Sequence, residues 1–168
     1  MKLFFQTLTV LEKDSNICKM REYEQHRTTN SFEHCRDVAL ESYSLSRKLN
    51  WNVDEKCLAR GAMLHDFYLY DIKQSTKSAW DHGVHHPKKA LHNAEEFYPL
   101  TVTERDIISS HMWPLTFWHV PRSKEAWIVC AADKLCAMRE ILGVNGKKRT
   151  KWINIYLRTQ QKNSLNKL

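Results

Sequence analysis

The chain has 168 residues, 42% of them hydrophobic and six of them tryptophan, with 26 Lys and Arg against 19 Asp and Glu for a formal net charge of +7. That length suits one domain with its own core, and that apolar content excludes a disordered polyelectrolyte. Five cysteines (Cys18, Cys35, Cys57, Cys130, Cys136) form an odd set with no CxxC pair, which excludes a disulfide framework and a zinc ribbon and makes a reducing cytoplasm the expected location.

Four glycines and four prolines punctuate the sequence, and the apolar residues recur at spacings of three and four rather than two. This predicts an all-α, single-domain helical bundle over residues 1–168, of about six or seven helices. The opening Met1-Lys2-Leu3-Phe4-Phe5 begins like a signal peptide, but Gln6, Thr7 and Thr9 interrupt the apolar stretch and Glu12-Lys13-Asp14 closes it without a cleavage site, so secretion is not expected. No run approaches the roughly 18 apolar residues that a spanning helix requires, so a soluble protein with no membrane partner is expected.

Taken in chain order, a helix is predicted over about residues 31–50, with Ser31 as cap and Cys35, Val38, Ala39, Ser42, Leu45 and Leu49 on one face. Asn50 and Asn52 mark a turn. A second helix runs from the cap Asp54 through Cys57, Leu58, Ala62 and Met63 to His65-Asp66. From Asp71 to Pro87 the periodicity dissolves around Gly83 and three histidines, which reads as a loop. Helical spacing resumes with Ala90, Leu91, Ala94, Phe97 and Tyr98 until Pro99. Thr101 or Thr103 starts the next helix, in which Ile107, Ile108 and His111 share a face before Pro114.

The last strong helix is predicted from about Ser123 to Leu142, with Ala126, Val129, Cys130, Ala137 and Ile141 facing inward and Gly143 as its stop. The basic run Lys147-Lys148-Arg149-Thr150-Lys151 then leads into a C-terminal helix carrying Trp152, Ile155 and Tyr156 and a frayed tail, about residues 147–168.

Asp133 falls within the apolar face of that last strong helix, and an ionised carboxylate there costs several kcal/mol unless a cation or strong donors compensate it. His34 and His111 share faces with Val38, Ile107 and Ile108, and His65-Asp66 stands where an apolar helix ends. Imidazole and carboxylate are the donor types of a borderline or hard metal ion.

Three stretches, Glu33-His34-Cys35-Arg36-Asp37-Val38-Ala39, Gly61-Ala62-Met63-Leu64-His65-Asp66 and Ala131-Ala132-Asp133-Lys134, together resemble the HD superfamily of metal-dependent phosphohydrolases. His86-Pro87-Lys88-Lys89-Ala90-Leu91 resembles the family's HPxxGA element, and Ile107-Ile108-Ser109-Ser110-His111 the helix that supplies a further histidine. The resemblance covers about residues 28–140. Leu69 stands where one variant of the family has lysine, Met112 where the cyclic-di-GMP branch has a second histidine, and no GYP motif is present.

What the resemblance implies is a metal centre. His34, His65, Asp66 and Asp133 would hold one ion, and Asp66 would bridge to a second ion completed by His86 and His111, with His85 or His92 as the alternative to His86. One or two divalent transition-metal ions (Fe, Mn, Co or Ni) suit such donors. The implied activity is hydrolysis of a small phosphoester or phosphoanhydride, a nucleotide foremost, by a metal-activated hydroxide. The six-donor scheme is closest to the branch that splits symmetrical dinucleoside tetraphosphates.

Asp66, Asp71 and Lys134 are the residues expected to act in catalysis, Asp71 as a proton donor to the leaving group and Lys134 on substrate phosphate. Lys88, Lys89 and Arg122 are further candidates for phosphate, and Tyr68, Tyr70, Trp80, Trp113, Phe117 and Trp118 for a pocket wall. A metal-containing, non-catalytic nucleotide-binding or signalling domain is the alternative, and a basic nucleic-acid-binding module using the tail is the weaker one.

Overall fold

A computed structural model describes residues 2–26, 29–67 and 78–142 of the chain. Its α-helices are α1 (Lys2–Leu11), α2 (Ser15–Cys18), α3 (Ser31–Lys48), α4 (Glu55–Leu64), α5 (Ala79–Phe97), α6 (Val102–Ser110) and α7 (Lys124–Ile141). A 3-10 turn, Lys19–Glu22, follows α2, and a short antiparallel ladder of β1 (Glu24–His26) with β2 (Thr29–Asn30) precedes α3. The architecture is all-α, as the spacing predicts. No helix of the described residues is long and apolar enough to cross a membrane.

From α2 onward each α-helix starts on a side-chain cap: Asp14, Asn30, Asp54, Ser78, Thr101 and Ser123 each accept a backbone N–H of the first turn. Each such bond satisfies an amide that the helix leaves without a partner, for about 1 kcal/mol. Thr101 and Glu104 do so reciprocally, as a capping box. Asn30, not Ser31, caps α3; Ser31 is buried and donates its hydroxyl to the Tyr23 carbonyl. The turn expected after α3 is present, with Asn50 at φ 52°, a left-handed conformation that asparagine tolerates.

Helix α3 is the hub, packed on α4 and α7; α4 in turn packs on α1 and α6, and α6 on α5 and α7. Its predicted face is buried at Cys35, Val38, Ala39 and Ser42, but the helix is covered nearly all round, with Phe32, Leu40 and Tyr43 also inside. Leu49, expected on that face, is half-exposed because the helix stops at Lys48 and Leu49 serves as its C-cap.

Two more expectations are corrected. The segment 71–87 is not a loop throughout: α5 begins at Ala79 and continues through Pro87. Gly83 reads as a breaker in sequence, yet it lies within the helix where a Cβ would stand 2.7 Å from Leu115 Cδ2, so the missing side chain allows close packing. On α7, Ile141 is 72% exposed, and the inward position of that turn belongs to Glu140.

The N-terminal helix, which the family resemblance leaves unexplained, is part of the core. Phe4 and Leu8 are fully buried, and the Phe4 ring lies 4.7 Å from that of Tyr43. The Tyr98 hydroxyl, just past α5, donates to Asp14 Oδ1 at 2.6 Å and ties the cap of α2 to the end of α5. All five cysteines are free, in keeping with the absence of a disulfide framework. Asp71, Tyr68, Tyr70, Gly143 and the basic C-terminal segment lie outside the described residues.

Candidate metal centre

Five chain segments deliver the six expected donors to one buried point. His34 lies on the first turns of α3, His65 is the C-cap of α4 with Asp66 next to it, His86 sits mid-way along α5, His111 is the C-cap of α6, and Asp133 lies in the middle of α7. None is more than 8% exposed.

The geometry divides around Asp66. Its Oδ2 faces His34 Nε2 at 3.9 Å and His65 Nε2 at 3.6 Å, while its Oδ1 faces His86 Nε2 at 3.1 Å and His111 Nε2 at 3.4 Å. Asp133 Oδ1 approaches His34 Nε2 at 3.1 Å and His65 Nε2 at 3.7 Å. Two sets of donor atoms, His34 with His65 and Asp133, and His65 with Asp66 and His111, each lie within 4.8 Å of one another.

The other nitrogen of each ring says which way the lone pairs point. Nδ1 of His65 donates to the Ala62 carbonyl at 2.7 Å, that of His86 to His82 at 2.9 Å, and that of His111 to Ile108 at 2.8 Å. His34 Nδ1 is 3.0 Å from Glu140 Oε1. A carbonyl or carboxylate partner fixes the proton on Nδ1 and leaves Nε2 as the acceptor facing the centre. The Nε2 atoms of His86 and His111 then face each other at 2.7 Å, and the buried His65 Nε2 has no hydrogen-bond partner among the described residues. Opposed lone pairs and a buried acceptor without a donor fit a cation shared among them.

Electrostatics agree. Burial alone would raise the Asp133 and Asp66 carboxyls, but the facing histidines outweigh it and hold both well below the usual carboxylate range. Burial pushes the His34 imidazolium down, but Asp133 and Glu140 outweigh it and hold it well above the ordinary histidine value. His111 is lowered to about 4, chiefly by burial, with His86 and His65 adding to it against Asp66.

The helical phase of α5 selects among its histidines. His86 is buried beside Asp66, whereas the side chains of His85 and His92 are 63% and 73% exposed and pair with Asp81 and Glu96 one turn away. His82, one turn before His86, stacks on its ring at 4.6 Å. Lys134 directs its ammonium to the His111 carbonyl at 2.8 Å and to the carbonyl and Sγ of Cys130. Lys88, Lys89, Arg122, Trp80, Phe117 and Trp118 are exposed, and Trp113 packs edge-on against Trp127.

Glu140 is the site residue that sequence reasoning missed. It lies two turns beyond Asp133 on the same face of α7, so the helical period carried the signal, but the neighbouring Ile141 drew the inward assignment.

The HD domain family model matches residues 31–138, and the chain belongs to that family. Neither curated proteins nor solved structures give a match. The match begins at α3 and ends within α7, so it contains all six donors. At the level of the superfamily, membership implies a metal-dependent phosphohydrolase that binds divalent metal.

Proposed function

We propose that the protein hydrolyses a small phosphorylated substrate, with a nucleotide as the class and a dinucleoside polyphosphate as the first compound to try. The observation that carries this reading is the division of Asp66, one oxygen toward His34 and His65 and the other toward His86 and His111. A carboxylate placed in this way suits two ion sites, the first completed by Asp133. Divalent ions such as iron, manganese, cobalt or nickel would supply Lewis-acid polarisation of a phosphoryl group and acidification of a water.

The chain's own residues do the rest. The four Nδ1 hydrogen bonds hold the rings in the orientation that donation requires, and burial keeps bulk water from competing for the donors. Lys134 fixes the end of α6 through the His111 carbonyl and brings a positive charge close to the centre, where substrate phosphate would gather. Asp71, five residues beyond Asp66, is assigned as proton donor to the leaving group. The net charge of +7 favours encounter with an anionic substrate.

Asp66→Ala tests the reading. The variant should stay helical by circular dichroism, lose most bound metal, and lose turnover of phosphoester and phosphoanhydride substrates by more than about 100-fold. Near-normal turnover and metal content would overturn it. A wild-type protein that binds metal and nucleotide without turning over any substrate would instead be a sensor domain.

A further inference from the structure

Three of the four histidines at the centre are oriented by a main-chain carbonyl of their own helix, three or four residues back. His34 is oriented differently. Its Nδ1 meets a carboxylate, Glu140 Oε1 at 3.0 Å, from another helix and 106 residues later in the chain. Glu140 is 7% exposed, and its second oxygen accepts the Thr29 hydroxyl at 3.2 Å, so β2 holds the carboxylate in place. Its backbone lies two residues before Leu142, the C-cap of α7, on an element pinned to α3 by the Arg139–Glu41 pair at 2.8 Å.

We propose that Glu140 is a positioning residue that ranks the two ion sites, making the His34, His65 and Asp133 site the tighter one; this rests on the two-site reading above. A carbonyl accepts the ring N–H as a neutral dipole. A carboxylate accepts it as a full charge, which makes the bond shorter and stronger and pushes electron density through the ring toward Nε2. Of the four rings His34 is the one whose N–H is held by a carboxylate, and its Nε2 faces the Asp133 side of the centre. The site built on His86 and His111 has only carbonyl-held rings. The carboxylate behind His34 adds to the advantage that Asp133 already gives this site among the donors themselves.

Chelator-treated full-length protein titrated with Mn2+ by calorimetry decides it. Wild type should bind in two steps. Glu140→Gln keeps an acceptor oxygen of the same reach and removes only the charge, and should weaken the tighter step about 10-fold while leaving the weaker step unchanged. Glu140→Leu removes the tether as well and should weaken the tighter step toward about 100-fold. Nitrogen chemical shifts of ring-labelled histidine should show the His34 tautomer populations disturbed in the leucine variant alone. A tighter step unmoved by Glu140→Gln, or two steps weakened alike, would overturn the ranking while leaving the two-site reading intact. Wild type that binds no Mn2+ would overturn both.

Discussion

A histidine that shares a helical face with branched apolar residues has little choice of environment. His34 with Val38, and His111 with Ile107 and Ile108, were legible on that ground, and all of these side chains are buried. His86 was not separable by pattern alone from its neighbours His82, His85 and His92, because a proline and a glycine concealed the helix whose phase distinguishes them. The carboxylate that holds His34 was less visible still, since the helical period puts Glu140 on the face of Asp133 but does not announce a partner 106 residues away. At this scale the expected outcome is selective. His86→Ala and His111→Ala should each lower bound metal by about one equivalent relative to wild type, whereas His85→Ala and His92→Ala should leave it unchanged, as elemental analysis of the purified variants would show. Unchanged stoichiometry in both His86→Ala and His111→Ala would reduce the centre to one ion.

Among the elements, the pair α4 and α6 has the most consequence for the centre, because both helices end on a donor histidine and the His65 and His111 rings are 4.9 Å apart. Gly61 sets the spacing of that pair: a Cβ there would meet Ile107 at its Cδ1 and, at 3.1 Å, at both its Cβ and Cγ2. Two effects oppose each other in Gly61→Ala. The helix gains up to about 1 kcal/mol of propensity, but forcing a methyl group against a buried, β-branched side chain costs about 1–3 kcal/mol. The second should prevail, because Ile107 is fully buried and would be met at its branch-point Cβ and Cγ2 as well as at its flexible tip. A lower urea midpoint with an unchanged m-value, together with weaker metal binding, is the expected result; a stabilised variant with normal metal content would show that the helices simply move apart. The glycine was read in sequence only as part of the HD-like stretch, since close approach between helices leaves no trace in a single chain's periodicity.

For the molecule as a whole, the all-α class followed from spacing, while the role of the N-terminal helix did not. Phe4 and Leu8 stand at helical spacing, but the partners that bury them, Tyr43 among them, come from segments that the local pattern does not identify. The same long-range closure appears in the Tyr98–Asp14 bond, which joins residues 84 positions apart. Burial would raise the Asp14 carboxyl, but the Tyr98 hydroxyl and the Ile17 and Asn16 amides outweigh it and hold it below the usual value. A carboxylate lowered on folding contributes stability that is present above its unfolded value of about 4 and is lost as pH falls through the folded value. Tyr98→Phe should therefore lower stability by about 1 kcal/mol at pH 7, and the gap from wild type should narrow when unfolding is repeated near pH 3. A gap of the same size at both pH values would mean that the ring's packing, not its hydroxyl, carries the effect.

The order in which the donors occur along the chain has a consequence for synthesis. His34, His65 and Asp66 emerge early, but Asp133, 3.1 Å from His34, and Glu140, 3.0 Å from its other nitrogen, belong to α7. A nascent chain lacking that helix holds His34 without either carboxylate and presents an uncovered flank of α3. Domains fold largely as units, and α7 is the last helix in chain order among the described residues. A chain interrupted before residue 133 lacks one of the donors of the proposed first site, so ion binding there would have to follow the arrival of α7.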